Sequence, residues 1–128
     1  MIFLSIDYGR AHLGFAIAAG PLAQPLKSLT NSPQIFNDIN HLIELHRIDK
    51  VIVGLPESHM AKEVRNFTDK LSQKISVPID FQDETLSSHE ARTALLHKTP
   101  TARRVNEHAA AAAIILQNWL DSNTHMLT

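Results

Sequence analysis

Residues 4–18 read LSIDYGRAHLGFAIA. The residues before Asp7 are apolar on both alternating sets of positions, so residues 2–7 form a strand covered on both faces. Gly9 allows a tight turn around Tyr8-Gly9-Arg10, and Gly14–Ala18 reads as a second strand that folds back on the first. The first strand therefore delivers a carboxylate to its carboxyl end, beside two potential cations, Arg10 and His12. Such an arrangement has the parts needed for chemistry on an anionic substrate.

The rest of the chain builds outward from this hairpin. A third strand is expected near 23–29, and Pro21 and Pro25 favour a sheet edge. Ser32 suits an N-cap and Pro33 the first position of a helix; Ile35, Ile39, Leu42 and Ile43 give that helix one apolar face. The run KVIVGLP, 50–56, is a short β-branched strand of central character. Gly54 and Pro56 read as the turn that ends it, a turn that also suits backbone N–H groups near a phosphate. Met60, Val64, Phe67 and Leu71 mark a helix over 59–74, and VPIDF, 77–81, the fifth strand. LSSHEARTALL, 86–96, is a helix opened by the capping pair Ser87 and Glu90. A last helix is expected from about Ala102 to Leu120, just after Pro100. The order β-β-β-α-β-α-β-α-α predicts an α/β fold with an antiparallel hairpin region followed by parallel strands joined through right-handed crossovers. The expected architecture is one domain, residues 1–128, with a mixed five-stranded sheet and helices on both faces.

Composition narrows the function. A chain of 128 residues buries enough surface for a real core. It has no cysteine, which excludes disulfides, thiolate chemistry and zinc–cysteine sites. No apolar run approaches the roughly 20 residues that span a bilayer. Residues 1–6 lack a basic leader and run straight into Asp7, so they read as a strand and not as a signal peptide. No membrane partner and a cytoplasmic location are the expectations. The net charge is −1 with histidine neutral, so nucleic acid cannot be gripped by the overall field and would need a local patch. The eight histidines add positive charge on partial protonation, but none stand at the i, i+4 spacing of a helix-borne zinc pair.

Three acids stand at strand ends. Asp7 closes the first strand, and Asp83 and Glu84 follow the fifth. If those strands are parallel near neighbours, their carboxylates share one rim and suit Mg²⁺ or Mn²⁺, which prefer oxygen ligands. The alternative is a plain strand-end acid in Asp7 and, in Asp83 and Glu84, a solvated loop favouring the next helix dipole. Lys98, Arg103 and Arg104 cluster around the start of the last helix, where cations oppose the dipole; they either meet an anion or form a solvated face. Glu107 and His108 come one turn later. Ala109–Ala113 then allow the helix to approach the sheet closely, which holds the side chains just before them near the rim.

Taken in order, IDYGRAHLGFAIA, VIVGLP, DETLSSHEA and HAAAAAIILQNWL resemble the YqgF/RuvX family across Ile2 to about Leu120. That family is associated with pre-16S rRNA nuclease activity, is similar to Holliday-junction resolvases, and has the RNase H-like fold. The resemblance implies that Asp7 and Glu84 hold the metal, with Asp83 second to Glu84. The family's last motif has an aspartate where His108 stands here. Glu107 is adjacent but about 100° round the helix, and His108 itself suits a ligand or a proton carrier. The family usually has a basic residue at His12 and an arginine at Thr85. The implied function is a Mg²⁺- or Mn²⁺-dependent endonuclease on structured nucleic acid, maturing the 5′ end of pre-16S rRNA. Arg10, His12, Lys98, Arg103 and Arg104 would contact phosphates. Two alternatives remain beside it: a resolvase of branched DNA, which would act as a homodimer where the rRNA reading allows a monomer, and a non-catalytic RNA- or ribosome-binding module. Asp7-to-Gly14 also satisfies the loose D-x-G-x-x-x-x-G pattern of actin-like ATPases, but those clamp nucleotide between two such domains and this chain supplies one.

Overall fold

The computed structural model describes residues 1–84 and 100–127, with the side chains of the last helix given from Glu107 to Asn123. The elements are β1 (Phe3–Asp7), β2 (His12–Ala18), β3 (Gln24–Thr30), α1 (Ile35–His46), β4 (Lys50–Leu55), α2 (Met60–Ser72), β5 (Ile79–Asp83) and α3 (Pro100–Leu127). The expected helix over 86–96, with Ser87 and Glu90, lies outside the described residues.

The sheet order is β3-β2-β1-β4-β5. β1 pairs antiparallel with β2 and parallel with β4, and β4 pairs parallel with β5. The two continuously apolar strands, β1 and β4, are therefore adjacent and central, and every residue of β1 is buried. β3 carries Pro25 at an edge, next to a register shift between Phe15 and Ala16, as a residue without an N–H requires.

Helices cover both faces. Ile35, Ile39, Leu42 and Ile43 of α1, with Val64, Phe67 and Leu71 of α2, pack on Leu4, Ile6, Leu13, Phe15, Val51 and Val53. On the other face Ala112, Ile115, Leu116 and Trp119 of α3 pack on Phe3, Ala16, Ala18 and Ile52.

Several boundaries differ from expectation. Helix α1 begins at Ile35, not Pro33: Ser32 Oγ accepts from the Gln34 N–H at 3.2 Å, so Ser32 caps a turn that precedes the regular helix. β5 starts at Ile79 because Pro78 has no N–H to give; its carbonyl accepts from Val51 N–H at 3.0 Å and pairing begins one residue later. Asp83 is consequently the last residue of β5, not a residue beyond it. α3 starts at Pro100, which suits a first turn, and runs past Leu120. Gln117 Nε2 donates to Asp121 Oδ1 at 3.0 Å and Asn123 Nδ2 to the Trp119 carbonyl at 2.7 Å.

Candidate active site

Side-chain alternation along β1 sorts its residues between the two faces. Leu4 and Ile6 join the α1/α2 core. Phe3 meets Trp119 at a ring separation of 4.9 Å, and the buried Ser5 hydroxyl donates to the Ala112 carbonyl at 2.6 Å. Asp7 is next in that second series, so it faces α3, only 2% exposed.

What brings α3 over Asp7 is the absence of side chains between them. Asp7 is opposite Gly14 in the β1–β2 register. A Cβ on Gly14 would overlap the His108 carbonyl and lie 2.7 Å from Ala109 N, so the helix backbone rests directly on the strand. His108 is thereby placed over the carboxylate, its Nδ1 3.8 Å from Asp7 Oδ2 with the imidazole 35% exposed. That separation exceeds a hydrogen bond and is an ion contact when the ring is protonated. The ring of His12 stacks on that of His108, centroids 5.8 Å apart and 24° between planes.

Glu84 arrives from the other side. Asp83 pairs with Leu55, and the Glu84 N–H donates to the Leu55 carbonyl at 3.0 Å, extending the ladder one step. Its carboxylate folds over Gly54, with Oε1 3.0 Å from where a Cβ would stand. The β1–β4 register matches Ile6 with Val53, so one further step sets Asp7 level with Gly54. Asp7 and Glu84 thus share the carboxyl rim on the α3 face. Gly54, expected as a turn residue, is instead inside β4; a Cβ there would also meet Ile115 Cδ1 at 2.5 Å, so close packing is what needs glycine.

The same alternation separates the two neighbouring acids. Asp80 accepts from Trp119 Nε1 at 3.2 Å and so faces α3, as Gln82 and Glu84 do. Phe81 lies under the Arg65 guanidinium of α2 at 5.5 Å, and Asp83 follows it to the α1/α2 face. In α3, His108 occupies the position over Asp7 while Glu107 projects about 100° away. Among the described residues no three His, Asp or Glu side chains converge closely enough to enclose a metal ion.

Arg10 turns away from this rim. Its Nε donates to Glu63 Oε1 at 3.1 Å, and Tyr8 Oη donates to Glu63 Oε2 at 3.0 Å. Asn31 Nδ2 closes the turn through the Gly9 carbonyl at 2.9 Å. Burial first, and then the Glu63 carboxylate, push the Tyr8 phenol above its ordinary pKa. Glu63 gave no sequence signal, because an acid in a first helical turn already has the dipole to explain it. Arg103 and Arg104 are in the first two turns of α3; Thr85 and Lys98 lie outside the described residues.

A family model described as "RuvX: Holliday junction resolvase" matches residues 1–122. A protein of Gloeobacter violaceus named "Putative pre-16S rRNA nuclease" is 35% identical over 92% of this chain and 82% of its own length. One of the same name from Anaeromyxobacter sp. (strain Fw109-5) is 33% identical over 94% and 97%. Among solved structures, Thermus thermophilus RuvC in complex with a Holliday junction substrate aligns with a TM-score of 0.62 at 19% identity, over 98% of this chain and 96% of that one. The fowlpox virus resolvase, in complex with Holliday junction DNA, aligns with a TM-score of 0.57 at 12% identity, over 95% and 98%. At those identities the structural likeness is one of fold. No helix among the described residues is long and apolar enough to cross a membrane.

Proposed function

This chain belongs to the RuvX family, and from that premise we propose that it is a divalent-metal-dependent endonuclease that matures the 5′ end of pre-16S rRNA. Residues 1–128 act as one RNase H-like domain in the cytoplasm. The observation that carries the reading is the rim itself: the buried Asp7 carboxylate, with His108 Nδ1 3.8 Å away and the Glu84 carboxylate folded over the neighbouring strand at Gly54.

The donors at this rim suit a metal of a particular kind. Asp7 and Glu84 offer hard oxygens from adjoining strands, which fits Mg²⁺ or Mn²⁺, ions held by one or two carboxylates together with substrate phosphate. When bound, such an ion supplies Lewis acidity and an activated water. The chain's residues do the rest. Asp7 is fixed by the strand and by close packing, so its oxygens point to one place. Glu84, on a longer side chain, adapts to the phosphate. His108 is partly exposed and keeps Nδ1 toward Asp7, so Nε2 is the atom that carries a proton to the leaving oxygen. Arg10 is in a largely exposed ion pair with Glu63; such pairs contribute little, so a phosphate competes for it readily. His12, Lys98, Arg103 and Arg104 complete the phosphate contacts, and Glu107 and Asp83 stand next to the working residues without replacing them.

Cleavage of a 5′-extended 16S rRNA precursor in Mg²⁺ tests this. Even outer-shell partners of metals cost about 10–100-fold when removed, so Asp7→Asn is expected to lower the rate by more than about 100-fold. Unchanged cleavage rejects the assignment. The family description favours one other substrate, a four-way DNA junction. A two-fold-symmetric substrate calls for a dimer, so a strictly monomeric chain that cuts the RNA selects the first reading. Absence of Mg²⁺ and Mn²⁺ binding by calorimetry would select a non-catalytic binding module.

A further inference from the structure

We propose that the recess between the end of β1 and helices α1 and α2 seats one unpaired nucleobase of the nucleic acid cut at the Asp7 rim; this rests on the nuclease reading above. The recess has a volume of about 330 Å³ and is walled by Tyr8, Phe36 and Phe67, with Asn31, Asn66 and Glu63 at its polar side. That is the low end of the size of small-molecule pockets.

Its chemistry suits a base more than a phosphate. The three rings form a continuous wall: Phe67 lies 4.8 Å from Tyr8 and 5.6 Å from Phe36 between centroids. Phe67 is buried at the back, while Tyr8 and Phe36 are half-buried and line the opening. Every base has a π face, so aromatic walls accept bases without demanding a sequence. The carboxylate of Glu63 disfavours a phosphate there but accepts from the N–H groups of a base edge, and the two amides offer both donors and acceptors. Cations stand at the margin: Lys70 lines the recess, Lys74 Nζ lies 5.6 Å from the Phe36 centroid, and Arg10 adjoins on the Glu63 side. A nucleotide seated by its base would therefore have its flanking phosphates beside positive charge.

Position ties the recess to the rim. Tyr8 directly follows Asp7, and alternation along the chain turns Asp7 to the α3 face and Tyr8 to the other. The two sites are back to back at one strand end, so a strand of nucleic acid crossing the rim passes from one to the other. The net charge of −1 gives this contact a purpose: stacking supplies affinity without the excess of cations that backbone binding alone would need.

The test uses the Asp7→Asn chain, which binds without cutting, and RNA with a duplex stem and a 5′ single-stranded extension. Dissociation constants are measured by fluorescence anisotropy at fixed salt, with a single abasic site walked along the extension and the same series made in DNA. One position is expected to weaken binding about tenfold when abasic, with its neighbours changing little. Phe36→Leu, which keeps apolar volume but removes the ring, should weaken the intact strand about tenfold and the strand abasic at that position hardly at all. Asn66→Ala, on the exposed surface of α2, should reduce the same positional difference without burdening folding. A uniform loss along the extension, equal weakening of intact and abasic strands, or no binding to either nucleic acid overturns the proposal. Failure of the nuclease reading is seen separately: positional binding kept while the unsubstituted chain never cleaves removes the hydrolytic function and leaves the base seat.

Discussion

Against α1 and α2 the sheet presents Leu4, Ile6, Leu13, Phe15, Val51 and Val53. Against α3, near the rim, it presents Ser5, Asp7, Gly14 and Gly54, with Phe3 and Ile52 farther down. The first face is a layer of large side chains between strand and helix backbones. At the rim end of the second the layer is almost missing, and the α3 backbone touches β2 at Gly14 while the Ser5 hydroxyl holds the Ala112 carbonyl. Large side chains bury area, the main favourable term in folding, and they tolerate repacking. A backbone resting on a backbone has no rotamer to adjust. The α1/α2 face thus supplies stability, and the α3 face fixes where His108 stands relative to Asp7.

The largest expected effect follows from adding one methyl to the tight face. In Gly14→Ala the new Cβ overlaps the His108 carbonyl, and a helix backbone gives way only by moving as a unit. A loss of about 4 kcal/mol or more is expected, at the exceptional end of single substitutions, in urea unfolding. Cleavage should fall even at temperatures where the variant is folded, because His108 is carried off Asp7. Removing a larger group from the other face should cost less. Ile39 is fully buried in the α1/α2 core, and Ile39→Ala is expected to lose about 3 kcal/mol, while cleavage well below its melting temperature stays near normal. If Ile39→Ala impaired cleavage as much as Gly14→Ala did, the division of labour between the faces would be wrong.

This division also explains what could be read from the sequence. The α1/α2 face was legible because it is written as periodicity: Ile35, Ile39, Leu42 and Ile43 are the residues that the spacing selects, and they are the buried residues of α1. Doubly apolar runs identified β1 and β4 as central. The alanines before Ile115 announced a close helix but not the strand that receives it. Nothing local tells that Gly14 is the contact, because glycine in a hairpin strand reads equally as a turn neighbour. Gly54, followed by Leu-Pro, reads as a turn for the same reason, although it lies inside β4. The choice between Asp83 and Glu84 depends on which parity of β5 faces α3. A one-residue slip of the strand would reverse it, and the parity is set by Asp80 meeting Trp119 across the fold. The stacking of His12 on His108 is likewise a product of α3 docking, with no trace in either residue's neighbours. The partnership of Tyr8, Arg10 and Glu63 joins a turn to a helix that the sequence treats as separate.

The smallest effect tests whether the stability-bearing face can be improved without touching the rim. Helix α1 ends at Arg47, which has φ 55 and ψ 51 in the left-handed region. The Ile48 N–H returns to the Ile43 carbonyl at 3.0 Å, and both isoleucines are buried in the α1/α2 core. These are the bond and the apolar contact of a Schellman ending, whose left-handed position is usually glycine because a Cβ is strained there. Arg47→Gly relieves that strain but gives the unfolded chain more freedom, so a net gain of about 0.5 kcal/mol is expected, a rise of a degree or two in melting temperature. Arg47 precedes β4, at the amino ends of the parallel strands, opposite the rim that holds Asp7. Cleavage should therefore be unaltered. A fall in melting temperature would mean that the Arg47 side chain stabilises the fold by more than its backbone strain costs. A change in cleavage would mean that the α1/α2 face is coupled to the rim, which the separation of the two packing layers argues against.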